Sequence, residues 1–91
     1  MQYDIEPYKK AFQECFDKQM KAVENGYNPS FAMEALLFYL QIGSATNRKR
    51  VEAIRNFERG LIHEFADKYA LSLQQEPFYD IICEKNRIDI L

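Results

Sequence analysis

The chain has 91 residues with a formal net charge of -2, and 47% of its residues are hydrophobic and 29% charged. This length predicts one domain over residues 1–91, and the apolar fraction excludes an intrinsically disordered chain. Because the net charge is slightly negative, the molecule as a whole is not expected to attract nucleic acid or an anionic membrane.

The first predicted helix starts at residue 4 or 7 and ends at residue 25. Pro7 is tolerated in a first turn, and Gly26 stands where helices often stop in a left-handed conformation. On the face opposite the core, Glu14 and Lys18 lie four residues apart with the acidic residue first, a pair that is typical of a solvated surface. The predicted core stripe repeats at three- and four-residue steps: Tyr8, Ala11, Phe12, Cys15, Phe16, Gln19, Met20 and Val23.

The second predicted helix covers residues 29–42, with Asn28 as its cap and Gly43 as its stop. Apolar side chains surround it and leave a narrow polar line of Ser30, Glu34 and Gln41. A helix that is apolar almost all round is either central to a bundle or covered by another chain. We expect it to organise the fold. We also expect Leu37 and Phe38 to form an exposed patch unless the last element covers them.

The third predicted helix starts at residue 46 or 47 and runs to about residue 70. Its core stripe is Val51, Ile54, Phe57, Leu61, Ile62, Phe65 and Tyr69. Glu58 projects into the middle of that stripe. One interpretation puts Glu58 at the border of the stripe, paired with Arg55 or with a cation from another helix. The other makes it a buried carboxylate with a raised pKa, in contact with a partner or acting as a switch.

The remaining residues give weaker signals. Residues 72–76 read as a connector, Pro77 can start a short helix that reaches Cys83, and residues 87–91 alternate in polarity, which fits a strand or a docked tail. We favour a short helix followed by a tail. The sequence therefore predicts an all-α fold, a compact bundle of three long helices plus a short fourth C-terminal element, with turns at residues 26–28 and 43–45.

No catalytic, metal or cofactor site is predicted. His63 is the only histidine, and Asp67 stands where the zinc motif HExxH has its second histidine, so an exposed histidine beside Arg59 is the simpler interpretation. Cys15 and Cys83 have no metal spacing and are expected to be reduced thiols, with Cys15 in the core. The three glycines are too far apart for a phosphate-binding loop. We therefore expect a protein that is not an enzyme.

Basic residues concentrate in the middle of the chain. Residues 44–63 hold five basic and two acidic residues, between two acidic segments. The run from Arg48 to Arg50 lies beside the positive end of a helix dipole, where cations are disfavoured. Arg48, Arg55 and Arg59 fall along one side of the helix. Either these arginines meet acidic residues inside the fold, or Arg55 and Arg59 bind an acidic surface of a partner through bidentate pairing.

The predicted function is that of a small regulator or inhibitor that binds another protein or a second copy of itself. An immunity or anti-defence role is a base-rate guess. The predicted partner-binding residues are Arg48, Arg55, Arg59, Leu37, Phe38 and Glu58. The alternative is a nucleic-acid-associated protein that uses the basic face of the third helix, although Lys49 and Glu52 occupy positions that a helix-turn-helix keeps apolar. No signal peptide and no membrane span are visible, so a cytoplasmic location is expected.

Overall fold

The computed structural model describes residues 5–40, 48–85 and 87–91, and for residues 48–51 it describes the backbone alone. In these residues the elements are α1 (Glu6–Glu24), α2 (Pro29–Phe38), α3 (Arg48–Lys68), a 3₁₀ turn (Leu73–Gln75), α4 (Pro77–Tyr79) and a π-helical turn (Asp80–Glu84). The all-α class is confirmed, as is a bundle of three longer helices with a short fourth element. None of the helices in this described part is long and apolar enough to cross a membrane.

The connection between α1 and α2 uses the signals seen in the sequence. Gly26 has φ +101°, and its N–H bonds to the carbonyl of Val23 at 3.0 Å, so α1 ends in the left-handed conformation that glycine adopts at low cost. Asn28 then caps α2 by accepting a 2.8 Å hydrogen bond from the N–H of Ser30. Pro29 occupies the first position, where its missing N–H has no intrahelical partner to lose.

Helix α2 ends at Phe38, four residues before the predicted end at residue 42. The N–H groups of Tyr39 and Leu40 each bond to the carbonyl three residues back, which tightens the last turn and ends the helix. Leu40 is buried, so the apolar run continues into the core after the helix has ended. The predicted stop at Gly43 and the predicted turn at residues 43–45 lie outside the described residues.

One hydrophobic cluster forms the core, and α2 lies at its centre. Helix α2 contacts α1, α3, α4 and the π-helical turn. Its inward side chains are at most 1% exposed: Ala32, Met33, Leu36 and Leu37. The other elements contribute Phe12, Phe16, Ile62, Phe65, Ala66, Leu73, Tyr79, Ile82, Cys83, Ile88 and Ile90. The elements on either side of α2 are thus held together through its buried face.

The end of α3 is set without a glycine. Ala70 has φ +55°, and the N–H of Leu71 bonds to the carbonyl of Ala66 at 2.8 Å, which is the hydrogen-bond pattern of a left-handed helix stop. Helix α3 therefore ends at Lys68, close to the predicted end near residue 70. The segment predicted as a connector contains the 3₁₀ turn, and its Leu73 is buried in the core.

The last residues form a docked tail, and residues 87–91 are not part of a strand. Arg87 adopts φ +55°, and the N–H of Ile88 bonds to the carbonyl of Cys83 at 2.8 Å, which turns the chain out of the π-helical turn. Ile88 and Ile90 are buried, with Ile90 fully inaccessible to solvent. The favoured prediction, a short helix followed by a tail, is confirmed, although most of that helix has π-helical hydrogen bonding.

We predict that replacing Leu36 by Ala lowers the free energy of unfolding by about 2–5 kcal/mol, because it opens a cavity at the centre of the core. Phe38→Ala is the matched control on the opposite side of α2, and its effect should stay within about 0.5 kcal/mol. Denaturant titration at low protein concentration measures both changes. A Leu36→Ala variant as stable as the wild type would contradict the central position of α2.

Candidate functional site

Four large aromatic side chains lie in solvent on and beside α2. Tyr27 is 49% exposed, Phe31 50%, Phe38 66% and Tyr39 51%. We call these four residues the aromatic face. At about 100° per residue, Phe31, Ala35 and Phe38 fall on the side of α2 opposite its buried residues. The rings of Tyr27 and Phe31 contact each other with centroids 6.3 Å apart, so the aromatic face continues onto the preceding turn.

The area of this face is comparable to that of the largest apolar patch on a typical monomer. An aromatic side chain buries about 150–250 Å² when it is fully covered, so the exposed halves of four rings offer about 300–500 Å². The largest apolar patch on a typical monomer is about 300–600 Å² and is often functional. Its size therefore makes the aromatic face a candidate binding surface.

A pocket of about 320 Å³ lies between α1 and α2, next to the aromatic face. It is lined by Ala11, Glu14, Cys15, Lys18, Gln19, Ala35 and Tyr39. Three small side chains and the ring of Tyr39 form the apolar part of the lining, while Glu14, Lys18 and Gln19 provide polar groups. Since Tyr39 belongs to both the pocket and the aromatic face, a partner that covers the face also reaches the pocket.

Burial makes both thiols weak acids. It raises the pKa of Cys15, with the positive charge of Lys18 opposing the rise. It raises the pKa of Cys83 to about 11, and there the charge of Arg55 acts in the opposite direction. Cys83 is fully buried whereas Cys15 is half-buried, so the cysteine expected in the core is the more accessible of the two. A thiol with a raised pKa is a poor nucleophile at neutral pH.

Glu58 is 1% exposed and forms an ion pair with Arg55, whose side chain is 12% exposed. The Nε atom of Arg55 lies 3.4 Å from Oε1 of Glu58, one turn apart on α3. The pairing with Arg55 was expected, but a position at the border of the core stripe was wrong, since Glu58 is buried as deeply as its apolar neighbours. The burial expected in the second interpretation is observed, and with almost no accessible surface Glu58 offers no exposed group for the predicted contact with a partner.

Arg59 and His63 hold the C-terminal tail against α3. Nη2 of Arg59 donates a 2.6 Å hydrogen bond to the carbonyl of Asp89, and Nη1 donates to Oδ1 of Asn56 at 2.9 Å. Nε2 of His63 lies 2.6 Å from the carbonyl oxygen of Ile90. Because a carbonyl oxygen only accepts, Nε2 of His63 is the protonated nitrogen. His63 is half-buried rather than exposed, which corrects the prediction.

The six predicted partner-binding residues differ in their exposure and in their contacts. Phe38 is exposed, as expected, but Leu37 is 1% exposed and belongs to the core, so the patch predicted from these two residues is wrong. Helical geometry explains the error, because consecutive residues point about 100° apart and only one of them lies on the outer side. Arg55 pairs with Glu58 on its own helix, and Arg59 bonds to Asn56 and to the backbone carbonyl of Asp89. Both make contacts within the fold, although the structural interpretation expected the acidic groups of the first helix and the tail as their partners. The side chain of Arg48 lies outside the described residues.

Sequence reasoning missed three members of the aromatic face: Tyr27, Phe31 and Tyr39. The signal was present in the spacing of Phe31, Ala35 and Phe38, which are four and seven residues apart and therefore share one side of a helix. This spacing did not distinguish the exposed side of α2, because the buried side is equally apolar. No group of three or more metal-ligating side chains occurs in the described part of the chain.

No protein-family model matches the sequence, and no curated protein or solved structure is similar to it at a significant level.

We predict that Arg55→Met lowers the free energy of unfolding by about 2–5 kcal/mol, because it removes a cation from a buried carboxylate. Arg59→Met is the matched control. It removes exposed hydrogen bonds and should cost about 1 kcal/mol. Thermal and denaturant unfolding measure both variants. Equal and small losses would show that Arg55 is available for a partner, as the alternative interpretation of the basic stripe requires.

We predict that a thiol reagent labels Cys15 in dilute native protein, below the concentration at which any self-association occurs, and labels Cys83 only when the protein unfolds. Because the pKa of Cys83 is raised from 9.0 to about 11, its contribution to stability is complete below pH about 9 and is lost as the pH rises through about 11. Unfolding titrations across this range should show a smaller decline for Cys83→Ala than for the wild type. An identical decline in both would contradict the assignment.

Proposed function

We propose that this protein is a small non-enzymatic domain that binds another polypeptide through the aromatic face. The observation that supports the proposal is the division of α2 into two sides, with the inner side in the core and three large aromatic rings on the outer side or at its end. Burial of these rings against a partner would remove a large apolar area from water.

The composition of the surface supports the same proposal. Tyr and Phe are enriched in protein interfaces, and a polar rim around an apolar centre is the usual arrangement. Here the half-buried Glu34 borders the aromatic face on α2, and Glu14 and Lys18 border it across the pocket on α1. The pocket is at the lower end of the sizes that hold small molecules, which suits an inserted apolar side chain.

A role as a regulator or inhibitor is part of this proposal, because a domain of this kind acts on its partner by occupying a surface. An immunity or anti-defence role remains the base-rate guess within that class. The nucleic-acid alternative has less support, since the guanidinium groups of Arg55 and Arg59 make contacts within the fold. Binding that weakens steeply with salt would favour that alternative, whereas an aromatic interface depends little on salt.

We predict that a photo-crosslinking phenylalanine analogue at position 38 captures a polypeptide in the cells from which the protein derives. The matched control carries the same analogue at Asp67, an exposed position on α3. An adduct at position 38 that is much stronger than at position 67 supports the proposal. Equal yields at the two positions would contradict it, because they would show that the aromatic face has no preferred partner. The mass of the adduct identifies what was captured.

A further inference from the structure

We infer that the partner of the aromatic face is a second copy of this chain, in a twofold-symmetric dimer with the two α2 helices packed antiparallel. This inference rests on the proposed function, since it names the partner of the same surface. The twofold axis passes close to Ala35, and the residues of the α1–α2 pocket complete the interface.

The position of Ala35 supports this geometry. Ala35 lies between the exposed rings of Phe31 and Phe38, and its small side chain allows two helices to approach to about 8–10 Å. Around a twofold axis at Ala35, Phe31 of one copy faces Tyr39 of the other. The large rings of each copy then fill the spaces beside the small residues of the other, and one of those spaces is the pocket lined by Ala11 and Cys15.

The aromatic rings supply about half of the area that a stable dimer needs. Four half-exposed rings on each copy supply about 600–1,000 Å² in total, while stable interfaces bury about 1,200–2,000 Å². The rest of the interface is supplied by Ala35 and by the α1 residues around the pocket. The same surface of both copies is used, as a twofold axis requires.

The charges beside the pocket are self-complementary. Glu14 and Lys18 are both exposed and lie one turn apart on α1. An antiparallel arrangement places Glu14 of each copy near Lys18 of the other, which gives two reciprocal ion pairs at the rim. Glu34 opposes association, because the axis brings the two copies of this carboxylate to the same border of the face. Glu34→Gln is therefore expected to strengthen the dimer.

Sedimentation of the purified full chain tests this inference. The wild type should be dimeric at high micromolar concentration, and Phe38→Ser should weaken the dimer by about 100-fold, since each dimer loses two central rings. The matched control is Asp67→Ser on α3, which should leave the dimer unchanged. Because Phe38 is 66% exposed, its variant should retain the melting temperature of the monomeric fold, and circular dichroism checks this.

Charge exchange tests the antiparallel register. Glu14→Lys and Lys18→Glu should each weaken self-association by roughly tenfold, because each creates like charges across the axis. An equimolar mixture of the two variants should form a heterodimer more strongly than either variant pairs with itself. The double variant, in which both charges are exchanged, should recover the wild-type affinity. Equal affinities in all four cases would overturn the register.

Two further outcomes would overturn the inferred dimer or its interface. A wild type that stays monomeric at high micromolar concentration overturns the second copy as the partner. The proposed function is then tested separately by crosslinking at position 38. An adduct with a different polypeptide supports the proposed function and excludes the dimer. A wild-type dimer that Phe38→Ser does not weaken overturns the aromatic face as its interface.

Discussion

Helix α2 has ten residues, and four of its side chains pack against α1, α3, α4 and the π-helical turn at once. The described residues cover one side of this central helix and leave the other side in solvent. The fold covers the side with Met33 and Leu36, and the rings of Phe31 and Phe38 stay in solvent. The buried core and the exposed aromatic face are thus two consequences of the same central position.

The polar contacts of α3 connect this core to the end of the chain. Arg55 neutralises the buried carboxylate of Glu58, and its charge also acts on Cys83 in the π-helical turn. Arg59 lies one turn further along α3 and His63 two turns further, and both bind the tail. The two arginines that suggest an acidic partner in the sequence therefore make contacts within the fold, Arg55 with Glu58 and Arg59 with the tail.

Local signals predicted the parts of the fold that depend on local chemistry. Gly26 and Asn28 marked the boundary of α1 and α2 because a left-handed stop and a side-chain cap need those residue types. The stop of α3 at Ala70 has no such residue. The aromatic face was harder to predict, since apolar residues surround α2 and periodicity alone does not tell which side is covered. The burial of Glu58 likewise depends on tertiary packing.

The tail is bound through backbone carbonyls of Asp89 and Ile90, while Ile88 and Ile90 supply its buried side chains. Backbone groups are the same in every residue type, so these hydrogen bonds place no demand on the side chains at positions 87, 89 and 91. The number of residues in the tail is constrained instead, because a shift by one residue would exchange the buried and exposed positions. During evolution, such a segment should accept substitutions at the exposed positions and reject insertions or deletions.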